Sequence, residues 1–136
     1  MNTRPLRIFI VDDDEDDILL VQDYLREGMK DVPVCVDHAP ALSEALFRMK
    51  QTPYDVGLFD YRVGKLDGVS LLRLVRANGI TTPVILLTGQ GSEEVAVEAM
   101  KAGATDYLIK SRLSADVLCT AIQRAVTSHK HPKASP

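Results

Sequence analysis

Cysteine is scarce: the 136-residue chain holds two, Cys35 and Cys119, without CxxC spacing. That excludes a disulfide framework and a thiolate metal site as organising features. Both thiols are expected to be small core residues in a reducing compartment. Long apolar runs are missing as well. None approaches the roughly 20 residues that cross a bilayer, and the N-terminus lacks the charged-then-apolar layout of a signal peptide. A cytoplasmic location with no membrane contact is therefore expected. Nor is there an excess of positive charge. The net charge is -3 and the basic residues are scattered, so no nucleic-acid contact is expected. Sequence repeats and low-complexity stretches are also lacking.

What is present is the balance of a folded domain, with 46% hydrophobic and 26% charged residues. The length fits one domain of the usual size, about 100–150 residues. It is expected over residues 1–128, with a flexible C-terminal tail at 129–136. Five β-rich runs, Leu6–Asp12, Pro33–His38, Asp55–Asp60, Pro83–Thr88 and Thr105–Lys110, alternate with segments of helical period. Ile18, Val21 and Leu25 mark the first helix, which Gly28 ends; Leu42, Ala45, Leu46 and Met49 mark the second; Leu71, Leu72 and Val75 mark the third, stopped by Asn78-Gly79. Ser92 is the expected N-cap of the fourth helix, which ends at Gly103, and the fifth starts near Ser114 with Leu118, Ile122 and Val126 in step. Runs such as Ile8-Phe9-Ile10-Val11 and Val84-Ile85-Leu86-Leu87 are apolar on both faces, as in a parallel sheet covered by helices on each side. The fold class expected is α/β: a flavodoxin-like, doubly wound, five-stranded parallel sheet of order 2-1-3-4-5 with five helices in three α/β/α layers.

Open sheets of this kind bind ligands beyond the carboxyl ends of the strands, where the strand order reverses. Asp12/Asp13, Asp60, Thr88 and Lys110 end four of the five runs, and the acids end the first and third, which flank that reversal. Asp12 and Asp13 open a run of six acidic residues clamped between an apolar strand and an apolar helix face. Its later members, Glu15 to Asp17, suit a helix N-terminus. Carboxylates gathered beside one another repel unless a cation neutralises them. Mg²⁺ does so with few protein ligands and completes its shell with phosphate oxygens; Mn²⁺ could substitute. Asp60 is the natural covalent acceptor for a phosphoryl group, Lys110 a fixed positive charge, and Thr88 a short donor to a phosphoryl oxygen.

The motifs Ile10-Val11-Asp12-Asp13, Leu58-Phe59-Asp60, Leu66-Asp67-Gly68, Pro83-Val84-Ile85-Leu86-Leu87-Thr88, Ala102-Gly103-Ala104-Thr105-Asp106-Tyr107 and Leu108-Ile109-Lys110 stand in one order. From about Leu6 to Val126 the chain resembles the receiver domain of bacterial two-component response regulators, of the single-domain, chemotaxis-regulator type. The resemblance implies that Asp60 takes a phosphoryl group from a sensor histidine kinase or a histidine phosphotransfer protein. It implies that Asp13, Asp60 and the backbone carbonyl of Arg62 bind Mg²⁺, with Asp12 acting directly or through water. Thr88 and Lys110 would hold the phosphoryl oxygens, and Thr88 with Tyr107 would switch a protein-interaction face. Such a domain is a signalling phosphoacceptor in a two-component system or phosphorelay, not an enzyme with a free substrate. It assists only its own phosphorylation and dephosphorylation. The chain is expected to be a stand-alone receiver or one excised from a larger protein. Since nothing after Val126 has the pattern of an output domain, output would pass through contact with a downstream protein or through onward phosphotransfer in a relay, a phosphorylation-dependent dimer being one form of partner.

The chain departs from the family pattern in three places. Tyr61-Arg62-Val63-Gly64-Lys65-Leu66 replaces the usual Met-Pro-Gly loop, Gly89 replaces an Ala after Thr88, and Ser111 replaces a Pro after Lys110. Arg62 and Gln90 occupy positions that tune phosphoryl lifetime in the family. Two rivals deserve comparison. An Asp-nucleophile, Mg-dependent phosphohydrolase would carry a second acid where Arg62 stands, and a flavin-binding module would meet an acidic run where the flavin phosphate belongs.

Overall fold

Strands that are apolar on both faces need a helical layer on each side, and the computed structural model, which describes residues 4–63, 66–89 and 93–130, supplies both. The elements in chain order are β1 (Leu6–Val11), α1 (Glu15–Gly28), β2 (Val34–Ala39), α2 (Leu42–Gln51) and β3 (Val56–Asp60). A two-residue pair follows, β4 (Arg62–Val63) and β5 (Leu66–Asp67), then α3 (Gly68–Ala77), β6 (Val84–Thr88), α4 (Glu93–Lys101) and β7 (Asp106–Ile109). A single 3₁₀ turn (Lys110–Arg112) leads into α5 (Ala115–Lys130). The main sheet is parallel throughout, in the order β2-β1-β3-β6-β7, which is the expected 2-1-3-4-5.

Side-chain alternation divides the core in two. Phe9, Val11, Phe59, Val84 and Leu86 pack with Ala45 and Met49 of α2, Leu72 and Val75 of α3 and Ala99 of α4. Ile8, Ile10, Leu58, Ile85 and Leu87 pack on the other face with Ile18, Val21 and Leu25 of α1 and Leu118 and Ile122 of α5. Each of β1, β3 and β6 therefore faces both layers, which accounts for its lack of polar alternation.

Helix boundaries follow local chemistry. Asp14 caps α1, its carboxylate accepting from the backbone N–H of Asp16 at 2.9 Å and of Asp17 at 3.4 Å. Asp67 caps α3 by accepting from Ser70 N–H at 2.7 Å, so that helix begins earlier than its apolar stripe indicates. Gly79, at φ 77°, takes the left-handed conformation that stops α3. The Ser114 hydroxyl accepts from Val117 N–H at 3.1 Å and opens α5 as expected. Ser92, Gln90 and Gly91 lie outside the described residues. His129 and Lys130 are the last residues of α5, and 131–136 lie outside the described residues.

Two features differ from the sequence reading. Cys119 is buried, but Cys35 is exposed, because β2 is an edge strand whose outer positions have no second neighbour. The β4–β5 pair was not anticipated, being too short to show periodicity.

Arg76 ties three segments together using only backbone acceptors. Its guanidinium donates to the carbonyls of Ile80 at 2.9 Å and Thr82 at 2.8 Å before β6, and to Gly103 at 2.9 Å before β7. Burial lowers its pKa from the ordinary arginine value. Replacing it by Met leaves those carbonyls without a donor. The expected cost in urea denaturation is about 2 kcal/mol; an unchanged midpoint would show that water replaces the clamp at no loss.

Candidate functional site

The sheet register assembles the site. Val11 pairs with Phe59, so the residues that follow them, Asp12 and Asp60, stand side by side. Asp60 pairs with Leu87, and Thr88 with Ile109, so Thr88 and Lys110 complete the same edge. Among the described residues four polar side chains are buried: Asp12 at 2% exposure, Asp60 at 8%, Thr88 at 3% and Thr82. Three of the four thus belong to this edge. Asp13 is exposed, and its carboxylate, with those of Asp12 and Asp60, forms a trio whose oxygens all lie within 4.8 Å of one another.

Lys110 Nζ lies 3.0 Å from Asp60 Oδ1, 3.3 Å from Asp12 Oδ2 and 2.6 Å from Asp17 Oδ2. The other oxygen of Asp12 accepts from Asp14 N–H at 2.9 Å, which shapes the turn out of β1. Asp60 also accepts from the backbone N–H of Arg62. Tyr107 is half-buried and packs against the α2/α3/α4 side of the core. By strand alternation Thr88 shares that side with Leu86, whereas Asp60 shares the α1/α5 side with Leu58.

From sequence alone Asp17 reads only as a helix-terminal acid. Its inward position was nonetheless signalled, since it precedes Val21 by one helical turn and so falls on the buried stripe of α1. Gly68 has a role at the site as well. Its N–H donates to Tyr61 O at 2.7 Å, and a Cβ there would overlap the carbonyl oxygen of Asp60. Gly68 is needed because α3 starts against the backbone of the site aspartate.

The electrostatics are those of crowded acids. Burial, reinforced by Asp60, raises the Asp12 pKa from 3.8 to about 6, despite the opposing Asp14 N–H and Lys110. Asp60 is raised too, chiefly by burial, against the pull of Lys110. Burial works to lower the Lys110 pKa, but its bonds to Asp17 and Asp60 and the charge of Asp12 carry it upward, so the ammonium stays charged. One ammonium thus serves three carboxylates directly while Asp13 adds a fourth at the mouth. A clustered trio of hard oxygen donors left with excess negative charge suits a divalent cation such as Mg²⁺.

The raised Asp12 pKa fixes the sign of a pH effect. The fold favours the protonated acid, so that contribution to stability is complete below about pH 3.8 and is lost as pH rises through about 6. In metal-free protein, the fall in melting temperature between about pH 5 and about pH 7.5 should be smaller in Asp12→Asn than in wild type. MgCl₂ should stabilise wild type more at the higher pH. Parallel pH profiles for the two proteins would remove Asp12 from this role.

The parallel 2-1-3-4-5 sheet thus carries an acidic cluster and a lysine at its switch point. Residues 8–123 match the response regulator receiver domain family, and the chain belongs to it. The transcriptional regulatory protein ZraR of Escherichia coli K12 is 35% identical over 124 residues, covering 91% of this chain and 27% of ZraR. The chain thus spans about a quarter of that relative's length. The receiver domain of Francisella response regulator 1452 is similar in structure at a TM-score of 0.76 and 31% identity, covering 90% of this chain and 98% of that one. The beryllofluoride-activated NtrC4 receiver domain dimer superposes at a TM-score of 0.79 with 29% identity and coverages of 90% and 98%. The resemblance to receiver domains and the fold class are borne out, and the chain is a receiver domain of phosphorylation-based signalling. Among the described residues no helix is long and apolar enough to cross a membrane.

Proposed function

We propose that Asp60 is the phosphoacceptor, receiving a phosphoryl group from a phosphohistidine on a sensor histidine kinase or a histidine phosphotransfer protein. The observation that carries this is the contact of Asp60 Oδ1 with Lys110 Nζ at 3.0 Å, within a carboxylate cluster at the topological switch point. A carboxylate oxygen of Asp60 attacks phosphorus, the P–N bond to the donor imidazole breaks, and that nitrogen keeps the electron pair. The new bond is an acyl phosphate, which water later cleaves to restore the carboxylate and release inorganic phosphate.

The residues around Asp60 divide the work. Lys110 offers its ammonium, and Thr88 its hydroxyl, to the phosphoryl oxygens. The N–H of Arg62, which already donates to Asp60, helps fix the orientation of the carboxylate. Asp12, Asp13, Asp60 and the Arg62 carbonyl would hold Mg²⁺, with Mn²⁺ able to substitute. The bound ion would supply neutralisation of charge on the transferring group. Thr88 and Tyr107 lie on the α2/α3/α4 side, so a donor bond drawn from Thr88 toward the phosphoryl group biases the packing there between two states. The output is contact with a downstream protein, through a dimer in one form, inside the cytoplasm. DNA contact is not part of the proposal for this surface.

Acetyl phosphate with Mg²⁺ should add one phosphoryl group to the wild type, read by intact mass, and Asp60→Asn should abolish it. Labelling of the Asn variant at the wild-type level would overturn the assignment. Lys110→Ala should weaken beryllofluoride binding roughly tenfold or more while leaving Mg²⁺ affinity little reduced. Equal losses of both would instead make Lys110 a general support for the pocket.

A further inference from the structure

A lysine ammonium has three donor hydrogens, and before any phosphoryl group arrives Lys110 already donates to Asp17 and Asp12 and is ion-paired with Asp60. The shortest contact, 2.6 Å, goes to Asp17, which is outside the trio of oxygens clustered for a cation. We propose that Asp17 is a positioning residue that holds Lys110 on the α1 side of the pocket and competes with the phosphoryl group for its ammonium; this rests on Asp60 being the phosphoacceptor.

The two partners differ in freedom. Asp17 is fixed in the first turn of α1, where its N–H donates to Asp14 Oδ1 at 3.4 Å. Lys110 reaches the pocket on a flexible four-carbon stem from the 3₁₀ turn after β7. Moving the ammonium toward a phosphoryl oxygen on Asp60 therefore stretches the bond to Asp17 rather than carrying Asp17 along. Asp17 also places a negative charge beside a group that brings about two of its own. Both effects act in one direction: Asp17 favours the unmodified state and weakens capture of the phosphoryl group. The Asp17 side chain is 34% exposed, so an amide in its place keeps access to water and the helix start is retained.

The test uses beryllofluoride as the phosphoryl mimic with Mg²⁺, its binding followed by fluorine NMR. Asp17→Asn should bind it roughly three- to tenfold more tightly than wild type. Affinity for Mg²⁺ alone should change by less than that. In a Lys110→Ala background the gain from Asp17→Asn should shrink, because the effect passes through the ammonium. Equal or weaker binding by Asp17→Asn overturns the proposal, as does an undiminished gain without Lys110, which would mark a general charge effect. If Asp17→Asn does not fold, Asp17→Ser is read by the same criteria. Failure of wild type to bind beryllofluoride, or equal binding by Asp60→Asn, overturns the reading of Asp60 and this proposal with it.

Discussion

Like charges pressed together at the carboxyl edge of a parallel sheet are the constraint on which this domain turns. Asp12 and Asp60 are buried there side by side because the register of β1 and β3 leaves them no alternative. Burial penalises the ionised form of each, and a single ammonium divides itself among three carboxylates. Such an arrangement is strained toward anything that adds positive charge. Isolated, each acid would be a poor choice for its position. Together with Lys110 they form a site whose energy depends strongly on what occupies it.

The surrounding fold is arranged to hold that edge still. Two hydrophobic layers clamp β1, β3 and β6 from both faces, and these strands are almost wholly buried. The acidic run after β1 is divided into separate duties by one capping event. Because Asp14 takes the N-cap, Asp12 and Asp13 remain at the strand end, Glu15 and Asp16 face solvent in the first turn, and Asp17 turns inward. Shifting that cap by one residue would rotate α1 by about 100° and send Asp17 elsewhere. Gly68 serves the same edge from the other direction, since only a residue without Cβ lets α3 begin against the Asp60 carbonyl.

Most of this was legible in the sequence wherever pattern and chemistry coincided. Strands apolar on both faces announced a covered parallel sheet, and Asp12, Asp60, Thr88 and Lys110 could be placed because each closes such a run. What escaped was information carried by orientation or by backbone. The inward turn of Asp17 depends on where α1 starts, which a run of six acids conceals. Arg76 binds carbonyls, which leave no trace in residue identity. Cys35 reads as core because its neighbours are apolar, but on the edge strand β2 only Ala39 is buried, and Cys35 and His38 stand exposed. The β4–β5 pair is too short for any period.

The division of the core also shapes how an event at Asp60 would be felt elsewhere. Asp60 and Lys110 lie toward α1 and α5, while Thr88 shares the face of Leu86 and Tyr107 packs on that same side. A group that bridged Asp60 and Thr88 would touch both layers across the sheet edge. The layers do not resist equally. On the α2/α3/α4 side, α3 buries Val69, Leu71, Leu72 and Val75, whereas Ala99 is the buried residue of α4, and Val97 and Met100 of that helix stand exposed. An element anchored by so little apolar area shifts at lower free energy than its neighbours. A change at Thr88 would therefore be taken up first by α4, while α1 and α5, packed on the opposite face, hold the strand ends that carry Asp12 and Asp60 in place.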